Sequence, residues 1–219
     1  MAGEIDPQQD ITKDYSILNL TFYTKDFMMK KWLPLLAASL LSTSVMAGDW
    51  QVNQDHSRVS FISIKKADVA EVHHFKQVAG ALTDAGAFSL SIDLSSVDTG
   101  IEIRDQRMQT VLFEVAQFPK LTLDAVVNPK LLAGLKVGDT LTTQVEATIK
   151  LHGQKQQKSF EVLVAKLSDK KMVISSLAPV IVQANEFDLV SGVEKLKEMA
   201  GLPSISLAVP VSFVLTLAQ

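Results

Sequence analysis

Strict alternation of apolar and polar residues is the feature that most limits how this chain can fold. From Leu141 to Leu151 one parity reads Leu141, Thr143, Val145, Ala147, Ile149 and Leu151, and the other Thr142, Gln144, Glu146, Thr148 and Lys150. Successive side chains on a strand point to opposite faces, so this segment is a half-buried β-strand. The C-terminal stretch repeats the pattern, with Ile205, Leu207, Val209, Val211, Phe213, Leu215 and Leu217 on one face. Pro210 falls on the other parity; lacking an N–H, it belongs at an edge, a bulge or the end of a ladder. Shorter strands are expected over residues 59–64, 78–83, 88–93, 121–127, 160–167, 172–177 and 180–184. Gly153, and the run Ser168-Asp169-Lys170, read as hairpin turns.

Two helical insertions interrupt the strands. Thr99 with Glu102, and Ser191 with Glu194, have the spacing of a capping box. Met108, Val111, Leu112 and Val115 then follow helical spacing, as do Val193, Leu196 and Ala200, and Gly201 and Pro203 supply a stop. Many short strands separated by turns indicate an all-β sandwich or barrel. About eight strands can close into a barrel just wide enough for one small ligand. No internal repeat or Pro/Gly-rich linker marks a second domain.

The N-terminal region has a different character. Met28-Met29-Lys30-Lys31 precedes a short apolar run, Trp32 to Leu41, and small residues ending Val45-Met46-Ala47. This is the layout of a secretory signal peptide over 28–47, cleaved after Ala47. The run Leu33–Met46 falls short of the roughly 20 apolar residues a spanning helix needs. Residues 1–27 are polar and carry Glu4, Asp6, Asp10, Asp14 and Asp26. They are read as an extension upstream of the true start at Met28 or Met29. The domain is therefore expected over 48–219. Both tyrosines (Tyr15, Tyr23) and one of the two tryptophans (Trp32) fall before it, leaving Trp50.

Composition excludes several chemistries. With no cysteine there is no thiolate nucleophile, disulfide or Cys-ligated metal. With 21 basic against 24 acidic residues the chain lacks the basic excess of a general nucleic-acid binder.

In order and spacing the chain resembles the YceI-like periplasmic proteins from Trp50 to about Phe213. The resemblance is carried by Trp50, His56-Ser57-x-Val59-x-Phe61, the alternating stretch 89–97, and Thr99 with Arg104-Asp105. Leu112-Phe113, Phe118-Pro119 and Leu151-His152-Gly153 complete it. Two local departures are Val72-His73-His74-Phe75, where many members carry Gly-x-Phe, and Leu112-Phe113-Glu114. The resemblance implies a lipocalin-like, closed antiparallel barrel of about eight strands. It also implies a periplasmic binding protein for a polyisoprenoid lipid, such as a polyprenyl phosphate or an isoprenoid quinone. Its role would be carrier, storage or stress-related scavenger, with no cofactor beyond the lipid; a homodimer is left open.

On that reading Phe61, Phe113, Phe118, Leu207 and Phe213 are the candidate tail pocket, the alternative for each being ordinary core packing. Arg104 and Arg107 are three apart on the first helix and could attract a head group. Alternatively they form a solvated face or pair with Glu102 and Asp105. Trp50 is expected to pack at the barrel end. No catalytic residue is assigned. Asp55, His56 and Ser57 are adjacent, so they cannot line up as nucleophile, base and orienter. A His56–Asp105 hydrogen bond across the fold would be structural. His73 and His74 point to opposite faces, and a metal would need a third ligand such as His152. No metal site is assigned. Two alternatives remain: a barrel enzyme using His56 or a His73/His74 site on a small hydrophobic substrate, and a ligand-free structural barrel.

Overall fold

The computed structural model describes residues 49–219; the extension expected over 1–27 and the signal peptide expected over 28–47 lie outside the described residues. The strands are β1 (Trp50–Val52), β2 (Arg58–Lys65), β3 (Val69–Phe75), β4 (Val78–Leu82), β5 (Ala87–Asp93) and β6 (Val97–Asp98). They continue with β7 (Lys120–Val126), β8 (Thr140–Leu151), β9 (Gln154–Ser168), β10 (Lys171–Ser176), β11 (Val180–Gln183) and β12 (Ala208–Ala218).

All pairings are antiparallel, and they close. β1 and β2 lie end to end along one edge of β12, and β10 and β11 along the other. β3 pairs with β2 and β4 with β1, so these short strands act as two long, interrupted ones. β5, β7, β8 and β9 complete the circuit in chain order. The result is an eight-strand up-and-down barrel, the closure that removes exposed sheet edges. β6 is a short addition paired with β3.

The alternation in β8 becomes a wall: Val145, Ala147, Ile149 and Leu151 are buried and the opposite parity faces out. β8 turns into β9 through His152 (φ 49°) and Gly153 (φ 75°). Positive φ at both central residues is the two-residue turn whose twist suits a hairpin. A Cβ on Gly153 would stand 3.2 Å from the Phe118 ring, so the turn also needs glycine for space. Pro210 lies one residue beyond the end of the β2 ladder on β12, which stops at Val211, as its missing N–H requires.

Among the described residues three α-helices accompany the barrel. α1 (Glu102–Arg107) runs directly into a π-helical turn, Met108–Leu112; α2 (Pro129–Ala133) was not expected; α3 is Val190–Met199. Neither capping box forms. At α1 the N-cap is Ile101, and the Thr99 amide and hydroxyl both donate to the Asp105 carboxylate. At α3 the helix starts at Val190, so Ser191 already lies inside its first turn. Burial of Phe187 and Leu189, not a side-chain cap, sets that start. Gly192 lets α3 close on the π-helical turn, since a Cβ there would come within 2.8 Å of the Val111 carbonyl.

Candidate functional site

The barrel interior is not filled. A cavity of about 510 Å³ runs through it, within the roughly 300–1,000 Å³ of small-ligand sites. Its walls are almost wholly apolar: Leu90 and Ile92 of β5, Val145 and Ile149 of β8, Val162 of β9, and Leu215 of β12 among them. Met108, Leu112 and Phe113 reach it from the π-helical turn, and Val193 and Leu196 from α3.

Polar groups gather at one end. Along β2 the inward parity runs Val59, Phe61, then Ser63 and Lys65; opposite them β3 presents Phe75, His73 and Glu71. Glu71 accepts from Lys65 Nζ at 2.6 Å and from the Arg104 guanidinium at 2.5 Å. The second terminal nitrogen of Arg104 donates to the Thr99 carbonyl at 2.7 Å. The Lys65 hydrogen bond, with Arg104 beside it, holds the Glu71 carboxyl below its ordinary value. His73 is buried and its Nε2 lies 2.9 Å from Ser63 Oγ. Burial first, and the Arg104 charge second, push the His73 imidazole below its ordinary value, so it favours the neutral form. Arg107, one helical turn on from Arg104, also lines the cavity and makes no ion pair among the described residues.

The candidate residues separate clearly. Phe61, Phe113 and Phe213 line the cavity, as do Arg104 and Arg107. Phe118 stands outside it: its ring lies over His152, 4.4 Å between centroids, beside the β8–β9 turn. Leu207 is also outside the lining; it precedes β12, and its carbonyl accepts from the Ala184 amide while its side chain packs on the core. Arg104 pairs with Glu71 of β3 rather than with Glu102 or Asp105. Trp50 packs partly buried against the core at the start of β1.

His56 is exposed in a 3-10 turn, and Asp105 is occupied by Thr99, so the two do not meet. The Ser57 hydroxyl accepts from the Thr216 amide instead of facing His56. His73 points inward while His74 lies outside, 3.8 Å from Asp98. His152 is tied to Glu114 at 2.9 Å beside the β8–β9 turn. Among the described residues no group of three His, Asp or Glu side chains could hold a metal. Ser63, His73 and Glu71 do not form a nucleophile–base–orienter chain either. Glu71 sits 3.8 Å from the same His73 nitrogen that meets Ser63, whereas an orienting carboxylate belongs on the other ring nitrogen.

Ser63, Lys65, Glu71 and His73 were not foreseen as a group. Their signal was present in the parity: inward positions of a hairpin that turn from apolar to polar toward its tip.

Residues 50–217 match the YceI-like domain. The chain belongs to the YceI-like family. The YceI-like barrel is similar to a polyisoprenoid-binding domain from Saccharophagus degradans implicated in plant cell wall breakdown. The two are 36% identical with a TM-score of 0.76, over 77% of this chain and 97% of that one. It shares its fold with BcnA of Burkholderia cenocepacia, at 18% identity and a TM-score of 0.59, over 75% of this chain and 98% of that one. No curated protein matches the chain. Among the described residues no helix is long and apolar enough to cross a membrane.

Proposed function

We propose that this YceI-like barrel holds a polyisoprenoid lipid non-covalently, its tail in the cavity and its head at the Arg104–Arg107 end. The observation that carries this reading is the cavity itself. Well-packed interiors leave few voids larger than a water molecule, and this one measures about 510 Å³. A linear hydrocarbon gains about 0.8 kcal/mol for each CH2 it buries, so the tail needs no polar partner along the walls. The head needs a cation or hydrogen-bond donor, and Arg107, unpaired among the described residues and one helical turn from Arg104, provides one. The polyisoprenoid binding of the 36%-identical Saccharophagus domain supports the same ligand class.

A head of polyprenyl phosphate or quinone type fits this end. The protein acts as a binding protein rather than an enzyme: a carrier, store or scavenger, exported to the periplasm and cleaved after Ala47. It uses no cofactor and binds no nucleic acid. Organic extraction of the natively purified protein, followed by mass spectrometry, tests the reading. One prenyl species per barrel is expected. A protein that carries none, and takes up none when offered geranylgeranyl phosphate in detergent, contradicts it.

A further inference from the structure

The polar end of the cavity is ringed by apolar side chains that face water. Val69 at the β2–β3 tip is 43% exposed, Ile101 and Ile103 at the start of α1 are 49% and 53% exposed, and Met199 at the end of α3 is 46% exposed. Bonds between the three elements bring them to one place. Arg104 of α1 reaches Glu71 of β3, Lys65 lies opposite Val69, and the Lys66 amide donates to the Ser204 carbonyl just past α3. Exposed Ala200, next to Met199, itself lines the cavity, as does Arg104, next to Ile103. The cavity therefore opens within this rim.

We propose that the rim docks on a lipid bilayer, so that a prenyl chain passes between membrane and cavity without crossing water. Docking in this sense rests on the lipid-binding reading above. Three observations select a bilayer over a second protein. The exposed apolar groups surround an opening to a lipid-sized cavity rather than covering a continuous face. Four half-exposed side chains offer on the order of a few hundred Å², well under the roughly 800 Å² per partner of a stable protein interface. The charges of the rim elements also cancel: Lys65, Lys66, Arg104, Arg107, Lys195 and Lys197 are matched by Asp68, Glu71, Glu102, Asp105, Glu194 and Glu198. Contact is thus made by apolar insertion, as in interfacial helices, and zwitterionic lipid suffices.

The test compares the purified protein with an Ile101→Asp/Ile103→Asp variant; neither residue lines the cavity. Transfer of an NBD-labelled geranylgeranyl lipid from phosphatidylcholine vesicles should slow about tenfold in the variant. Flotation with those vesicles should fall with it, and uptake from detergent micelles should stay unchanged. An Ile101→Ser/Ile103→Ser variant should shift in the same direction without added charge. Equal transfer and flotation by wild type and variants overturn the proposal. A wild-type dimer that the variants split into monomers also overturns it, and gives the rim to a second copy. No uptake from micelles by any of the proteins removes the lipid reading, and docking with it.

Discussion

The β8–β9 and β2–β3 hairpins wall the same cavity with the same geometry, yet they put different chemistry into it. In β8–β9 the residues that line the cavity are apolar apart from Thr143: Val145, Ile149 and Leu151, then Phe160, Val162 and Val164, while inward-parity Gln156 and Lys158 stand off the lining and bond to Glu186. In β2–β3 the inward row starts with Val59, Phe61 and Phe75 and ends with Ser63, His73, Lys65 and Glu71. The turns differ too. β8–β9 closes on His152-Gly153, while β2–β3 bends through Lys66 (φ 53°) and Ala67 (φ 70°), neither of them glycine. One hairpin supplies the apolar wall; the other grades the cavity from tail to head.

A matched pair of substitutions tests this contrast most severely. Val162→Asp buries an unpaired carboxylate in the apolar wall, at a cost of several kcal/mol, and should leave the protein unfolded. Ser63→Asp stands opposite Glu71 across the ladder but also meets Lys65 and Arg104, and should fold with a much smaller loss of urea midpoint than Val162→Asp. Equal losses would erase the distinction between the two walls.

Next in size is the pair Arg104→Gln/Arg107→Gln. Removing charge-assisted donors should weaken geranylgeranyl phosphate by about tenfold and the bare hydrocarbon hardly at all. Equal weakening in a binding titration would make both arginines structural. The turns give smaller effects. Gly153→Val should cost about 1–3 kcal/mol, through left-handed strain and contact with Phe118. Ala67→Gly should gain up to about 1 kcal/mol, because glycine occupies positive φ freely. Chemical denaturation measures both, and a loss at Ala67→Gly would contradict the stated turn geometry.

The smallest effect is pH dependence. The folded His73 titrates below its ordinary value of 6.5, so the folded state prefers the neutral ring. Its contribution to stability is complete above about pH 6.5 and declines as pH falls through the folded value. Glu71, also lowered from an ordinary 4.5, loses its contribution in a more acidic window. His73→Phe should therefore flatten the first decline and leave the second. Urea midpoints across pH 4–7 that superimpose for both proteins would contradict the His73 assignment.

The contrast between hairpins also explains what could be read in advance. β8 and β12 were legible because their apolar residues keep one parity through the buried stretch. β3 carries no strand signal in the sequence: its inward Glu71 and His73 are polar and its outward Val72 is 70% exposed, which inverts the usual pattern. Phe213 could be assigned to the interior from its place on the apolar face of the last strand, whereas Phe113 lies off the helical stripe of Met108, Val111, Leu112 and Val115 and entered only with the family resemblance. Phe118 could not be separated from them, because its position depends on the β8–β9 turn folding back over Pro119's neighbourhood, a contact distant in sequence. The Arg104–Glu71 pair spans 33 positions and follows from barrel closure, not from local spacing. The capping boxes failed for a related reason, since packing of Phe187 and Leu189 placed the start of α3.

The central claim is that a prenyl tail lies along the apolar wall with its head at the polar end. Isotope-filtered NOEs between geranylgeranyl phosphate and the methyl-labelled barrel test it directly. Tail protons should contact the methyls of Val145, Ile149 and Val162, and the protons nearest the phosphate should contact Arg107. Binding with contacts only to outward-facing residues, or with the ends of the lipid reversed, would contradict the account.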